Sequence, residues 1–331
     1  MASPHFPPPP PLPAKVRMFQ RTPPAMFPPV LGLFGLGLAW RRGAASFGLP
    51  EQVVELFLGA VSLLFLFCLV AYGVKIMMRA GVVAEDLRVL PGRTGLVAAT
   101  MCLMLLAVVL VPYAPALAGA ALILGFLGHL ALATAVLVWL IRAPAEARQF
   151  TPAMHLVFVG FIVAPGAAVP LGYVAGLSIL IWYCALAAVS IASVTLGKVV
   201  TGQEAPPLRP LHAIHLAPGS LVATGAFMNG QDTLGLFGLG IATATFLLLL
   251  YRARWMMVAG FSGFWSAFTF PFAAFVSSWF AAHTVFGWEA ARIAGGLLLV
   301  AATLIIPPIA AKVLRLWAEG KLAAKTNAAI A

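Results

Sequence analysis

The sequence predicts an all-α integral membrane protein whose ten transmembrane helices pair into five helical hairpins. Three observations carry this. Of the 331 residues 62% are hydrophobic and only 9% charged, with a mean hydropathy of +1.02; a water-soluble fold cannot hide that much apolar surface. Uncharged runs such as 110–141 and 150–197 exceed the roughly 20 residues that cross a hydrocarbon core of about 30 Å. No alternation of period two appears, which favours helices over a barrel.

The chain begins MASPHFPPPPPLPAKVRMFQRTPP, and residues 1–23 read as a disordered, proline-rich cytoplasmic tail. The stretch lacks the basic-then-apolar order and small-residue cleavage site of a signal peptide, so none is expected. A ten-helix transmembrane domain then spans 24–316, with segments near 24–41, 52–79, 94–112, 115–141, 152–169, 171–197, 210–228, 232–252, 260–282 and 286–314. Residues 317–331 read as a cytoplasmic C-terminal tail.

Each segment has its own punctuation. The first carries Pro28 and Pro29 and stops at Arg41 and Arg42. The second has no proline, holds Glu55 one turn inside, and ends on Lys75 and Arg79. The third starts beyond Arg93 and runs to Pro112; the fourth starts at Pro115 and stops at Arg142. Pro165 lies in the fifth, Pro170 separates it from the sixth, and Lys198 closes the sixth. Pro218 lies in the seventh, Asp232 opens the eighth, Pro271 lies in the ninth, and Pro307 and Pro308 lie late in the tenth.

Interior prolines thus favour odd segments, the third excepted. A proline frees a backbone carbonyl, tolerated in a membrane only where protein, hydroxyl side chains or water satisfy it. The kinked odd helices therefore belong inside. The predicted arrangement is an inner ring of five helices, kinked at Pro165, Pro218 and Pro271 among others, within an outer layer of five straighter ones.

Charge gives topology. Of the 20 Lys and Arg, only Arg41, Arg42 and Arg292 fall opposite the side of both termini, so the positive-inside rule makes both termini cytoplasmic. The net charge of +11 is accounted for by topology and calls for no nucleic-acid partner. Apart from Glu55, the nine acids lie at segment ends or in loops. A pathway without carboxylates suits passive conduction better than proton-driven pumping, which places acids within the membrane.

The ninth segment contains FWSAFTFPFAAF, 264–275. On a helical wheel Phe264, Phe268, Phe272 and Phe275 fall on one packing arc. The opposite arc holds Ser262, Gly263, Ser266, Phe270, Ala273 and Ser277, a small and weakly polar face with one large ring. Such a face lines a pore or makes a tight helix contact; in a narrow pore, Phe270 would be a hydrophobic constriction that Pro271 presents.

An arginine precedes each odd segment: Arg21, Arg93, Arg148, Arg209 and Arg254. Together with five converging helix N-termini they would make a cytoplasmic vestibule attractive to anions, although the positive-inside bias alone accounts for the same residues. Cys68, Cys102 and Cys184 lie in apolar runs and read as packed thiols. His129, His155, His212 and His215 raise the rival class of a haem or metal protein, but without H-E-x-x-H, Cys-x-x-Cys or an acidic cluster no metal and no cofactor is expected.

The motifs WSAFTFP (265–271), FPPVLGLFGLGLAW (27–40) and LAPGSLVATGAF (216–227) resemble those of the tellurite-resistance and C4-dicarboxylate transporter family, which includes the plant guard-cell slow anion channels. The fifth segment, MHLVFVGFIV at 154–163, departs from that pattern in having no early proline and no asparagine. The resemblance implies a homotrimer with one pore per subunit, a quasi-fivefold inner ring, a gate at Phe270, and passage of chloride, nitrate and in some members malate. The expected protein is not an enzyme. It is a passive anion channel or uniporter of a bacterial inner membrane, with an uncharged pore gated by phenylalanine; a proton-coupled exporter of C4-dicarboxylate or tellurite is the alternative.

Overall fold

A computed structural model describes residues 17–144, 148 and 150–331; the proline run of the expected N-terminal tail lies outside them. Among the described residues every regular element is helical. They are α1 (Phe27–Phe47), α2 (Gln52–Met78), α3 (Val82–Arg88), α4 (Leu90–Leu110), α5 (Pro115–Arg142), α6 (Met154–Val159), α7 (Pro165–Ala168) and α8 (Leu177–Thr195). The second half adds α9 (Gly197–Thr201), α10 (Leu216–Met228), α11 (Asp232–Tyr251), α12 (Ala253–Met256), α13 (Phe270–Phe286), α14 (Glu289–Ala318) and α15 (Lys321–Lys325).

Eight elements are long and apolar enough to span a membrane: α2, α4, α5, Leu177–Thr201, Pro206–Met228, α11, Gly263–Phe286 and α14. The sequence reading counted ten. The two others differ for physical reasons. Met154–Ala168 is shorter and is broken by a 3-10 turn at Gly160–Val163. The first, α1, is not among the eight, and its end differs from the expected stop at the arginines: it continues to Phe47, with Arg41 paired to Glu55 (Nη2 to Oε2, 2.6 Å).

The prolines do not kink continuous helices as expected. Pro28, Pro91, Pro165 and Pro271 occupy the first turns of α1, α4, α7 and α13, where the missing N–H needs no partner. Pro218 is the third residue of α10, after a 3-10 stretch at Pro206–His215. Pro271 likewise follows a 3-10 turn, Gly263–Phe268. At Pro28, Pro165, Pro218 and Pro271 the break is therefore a change of helix type, with three residues per turn before the proline and 3.6 after it; Pro91 instead follows the extended Val89, and Pro307 and Pro308 lie inside the continuous α14.

Burial alternates along the chain. In Pro206–Met228, 83% of the apolar window is buried, against 22% in Leu177–Thr201; α4 and Gly263–Phe286 belong with the buried group, and α2, α5, α11 and α14 with the exposed one. Consecutive elements pack as pairs: α1 with α2, α4 with α5, α6 with α8, α10 with α11, and α13 with α14. Across pairs, α1 meets α4 and α13, α10 meets α13, and the 154–168 region meets both α4 and α10.

Near the contact of Gln20 with Ala331, Lys75 and Asp86 form a fully buried ion pair (Nζ to Oδ2, 2.8 Å). Lys75 also donates to Thr22 O (2.9 Å), and Asp86 accepts from Tyr72 (2.8 Å) and the Ala329 N–H (2.8 Å). Residues 317–331 are thereby held against the bundle, with Leu322 of α15 fully buried.

Candidate functional site

Phe270 begins α13. Thr269 closes the preceding turn by donating its hydroxyl to Ser266 O (2.7 Å), and Pro271 starts the α-helix beyond it. Two glycines on α1 let this junction come close. A Cβ on Gly32 would overlap the Thr269 side chain, and one on Gly35 would lie 2.9 Å from Phe270 Cδ2 and 3.0 Å from Ala273 Cβ. The ring is 5% exposed and rests against the glycine face of α1.

Two cavities flank it. The first, about 60 Å³, lies at the N-terminal ends of α1, α4, α10 and α13 and is lined by Thr94, His155, Leu211, Pro218, Gly263 and Ser266 among others. The second, about 170 Å³, lies towards the opposite ends of the same elements, with Arg41, Arg42, Pro165, Thr224, Met228 and Ser277 in its wall. Three residues belong to both: Ile162, Leu221 and Phe270. They form an apolar partition between two spaces, each of which has room for water, whose share of liquid volume is about 30 Å³.

The wheel reading needs correction here, because it assumed one continuous α-helix. Gly263 and Ser266 line the first cavity and Ser277 the second, but Ser262 lines neither, and Ala273 faces Gly35 of α1. Phe264, expected in the packing stripe, lines the first cavity, since a 3-10 turn advances each residue further round the axis than an α-helix does. Phe272 and Phe275 do pack, stacking on Phe246 of α11 at 5.8 and 4.9 Å, and Phe268 meets Trp265 edge-on at 5.6 Å.

The five arginines of the expected vestibule line neither cavity. Arg93 is buried, donates to Leu87 O (3.1 Å) and lies over Trp139 at 4.1 Å. Arg209 donates to Glu204 O (2.8 Å) and covers Trp255 at 4.8 Å. Arg148 bonds Ala143 O (2.7 Å), and Arg21, Arg148 and Arg254 are exposed. Charge enters from the other end instead. Arg41 and Arg42 stand in the wall of the second cavity, whereas no Lys or Arg lines the first. Neither cavity is lined by Asp or Glu. The sequence signal is a double arginine after the LGLFGLGLAW run, which marks a helix end and a topology but not by itself a cavity wall.

Three of the histidines cluster beside the first cavity. His155 Nε2 meets His215 Nδ1 at 3.0 Å, and His215 Nε2 meets Thr195 Oγ1 at 3.3 Å. Thr195 gives its proton to Ile191 O (2.7 Å), so His215 donates to Thr195 and His155 donates to His215. His212 approaches Glu204 at 3.5 Å. His129 is held between Thr100 (2.8 Å) and Val157 O (3.1 Å). Among the described residues no group of His, Cys, Asp and Glu has the arrangement of a metal site.

A family model described as voltage-dependent anion channel matches residues 21–314. No curated protein matches the chain.

Proposed function

The chain belongs to the voltage-dependent anion channel family, and from that premise we propose that it is a passive anion channel or uniporter in which Phe270, with Ile162 and Leu221, closes a pore between two cavities. The carrying observation is the position of that ring, which lines both cavities and separates them. A narrow apolar partition resists ions by sterics and by dewetting, and a rotamer change opens it. The 3-10 turn just before Pro271 supplies a local hinge for that change.

The inner elements α1, α4, 154–168, α10 and α13 are read as a ring around this pore, each backed by an outer helix; their contacts, each with the next and α13 back to α1, support it. With α1 and 154–168 counted as spans, ten crossings put both termini in the cytoplasm, as the distribution of Lys and Arg favours. The first cavity then faces the cytoplasm, and the membrane is a bacterial inner membrane. We extend the reading to a homotrimer with one pore per subunit. The substrates are small anions such as chloride and nitrate, and no catalytic chemistry is involved.

Reversal potentials of purified protein in liposomes, measured across a chloride or nitrate gradient, test the reading. A potential that follows the anion gradient supports it; one that follows the cation gradient sinks it. For the alternative, a proton-coupled exporter of C4-dicarboxylate or tellurite, His155 is the titratable group lining the first cavity. That mechanism requires uptake at zero membrane potential to depend on a pH gradient, whereas the channel requires it not to.

A further inference from the structure

The two adjacent arginines of α1 have opposite fates. Arg41 is spent within the protein. Its Nε and Nη2 grip both oxygens of Glu55 (2.7 and 2.6 Å), and Nη1 donates to Val108 O (3.2 Å). Glu55 is further held by the Tyr113 hydroxyl (2.9 Å). Such a bidentate pair leaves little net charge for a visitor.

Arg42 has no such partner. Among the described residues no carboxylate lies within ion-pair distance of it, and its guanidinium makes one contact, from Nη2 to the thioether of Met228 (3.3 Å). A thioether is a weak acceptor, and a guanidinium does not shed its proton to escape burial. The second cavity, whose wall Arg42 forms, adds two hydroxyl groups, Thr224 and Ser277. Thr224 is occupied with Ser220 O (3.0 Å), whereas no intramolecular bond engages the Ser277 hydroxyl among the described residues. A half-buried cation beside a hydroxyl without a protein partner, in a chamber whose other cation, Arg41, is already paired with Glu55 and which no acid lines, is incomplete as protein chemistry. A counter-charge completes it.

We propose that Arg42 and Ser277 form a binding site for a small monovalent inorganic anion, a halide or nitrate, in the second cavity. The site rests on the channel reading for its purpose: it is where an anion that has crossed the Phe270 partition comes to rest. The charge count sets the class. One uncompensated guanidinium matches one negative charge, while the second carboxylate of a dicarboxylate would meet Val108, Val163, Leu105 and an Arg41 already paired with Glu55, and so lack a free partner. A single site of this strength lets an ion enter and still leave, as conduction demands.

Bromide is the probe. Crystals of the full chain soaked in bromide are measured at the bromine absorption edge, for the natural protein, Arg42→Gln and Arg42→Lys. In parallel, current against anion concentration is recorded for the same variants in a Phe270→Ala background, which holds the pathway open. The expected result is a bromide peak beside Arg42 that Arg42→Gln abolishes. The concentration for half-maximal current should rise about tenfold or more with glutamine, the loss of one charge-assisted hydrogen bond, and recover in part with lysine. No bromide beside Arg42, a peak that survives Arg42→Gln, or an unchanged half-maximal concentration overturns the proposal. A bromide site sensitive to Arg42 in a protein whose Phe270→Ala form carries no anion current would sink the channel reading and leave the site standing.

Discussion

Replacing Gly35 by alanine probes the seat of the Phe270 ring. The added methyl would lie 2.9 Å from Phe270 Cδ2, 3.4 Å from its Cε2 and 3.0 Å from Ala273 Cβ. Carbon atoms rest at about 3.5–4.0 Å, so the contacts must relax by roughly 0.5–1 Å. The Ala273 methyl is fixed to the α13 backbone and moves only if α1 and α13 separate. The ring can swing, but α1 blocks it on one side, so it moves towards Ile162 and Leu221. Overpacking of this kind costs about 1–3 kcal/mol. In a Phe270→Ala background the two ring contacts vanish and the Ala273 contact stays, so the cost of Gly35→Ala should fall to roughly half. Denaturant unfolding of the four proteins in detergent closes the double-mutant cycle, with an expected coupling of about 0.5–1.5 kcal/mol. An equal cost of Gly35→Ala in both backgrounds would refute the placement of the ring against α1.

Two further outcomes follow from the same physics. Asp86→Asn strips the buried Lys75 ammonium of its counter-charge and should destabilise by about 3–5 kcal/mol, whereas the double change Lys75→Met with Asp86→Leu should recover most of that loss; thermal unfolding in detergent reads both. Pro271→Ala should cost less than about 1 kcal/mol, because a first-turn proline replaces no hydrogen bond and contributes mainly by stiffening the unfolded chain. A loss of several kcal/mol in the same unfolding assay would contradict its placement at the start of α13.

How much of this was written in the sequence can be argued from particular residues. Helical class and the pairing of neighbouring segments follow from hydropathy and charge, signals that do not depend on tertiary contacts. Interior prolines marked the seventh and ninth segments, which are buried, but not the equally buried third, and the proline-bearing tenth is exposed. Boundaries failed where tertiary chemistry intervened. The first helix runs on past Arg41, which is paired with Glu55 on the next helix. The fifth, seventh and ninth segments hold 3-10 turns that a uniform 100° wheel cannot represent; hence Phe264 moved into the first cavity and Ala273 out of the lining. Pro165, Pro218 and Pro271 marked helix starts rather than kinks, while Pro307 and Pro308 lie inside α14. Phe270 lies at the junction, as the first residue of α13 just past the 3-10 turn. Two of the arginines expected in the vestibule, Arg93 and Arg209, lie over Trp139 and Trp255, aromatic partners whose proximity no linear spacing reveals.

The central claim is that one benzyl group stands between two cavities of a single anion pathway. Current through purified Phe270→Ala in planar bilayers, under a chloride gradient and beside the natural protein at equal incorporation, tests it most directly. The account predicts a larger current that reverses near the chloride potential. An unchanged current from properly folded, inserted protein would contradict it.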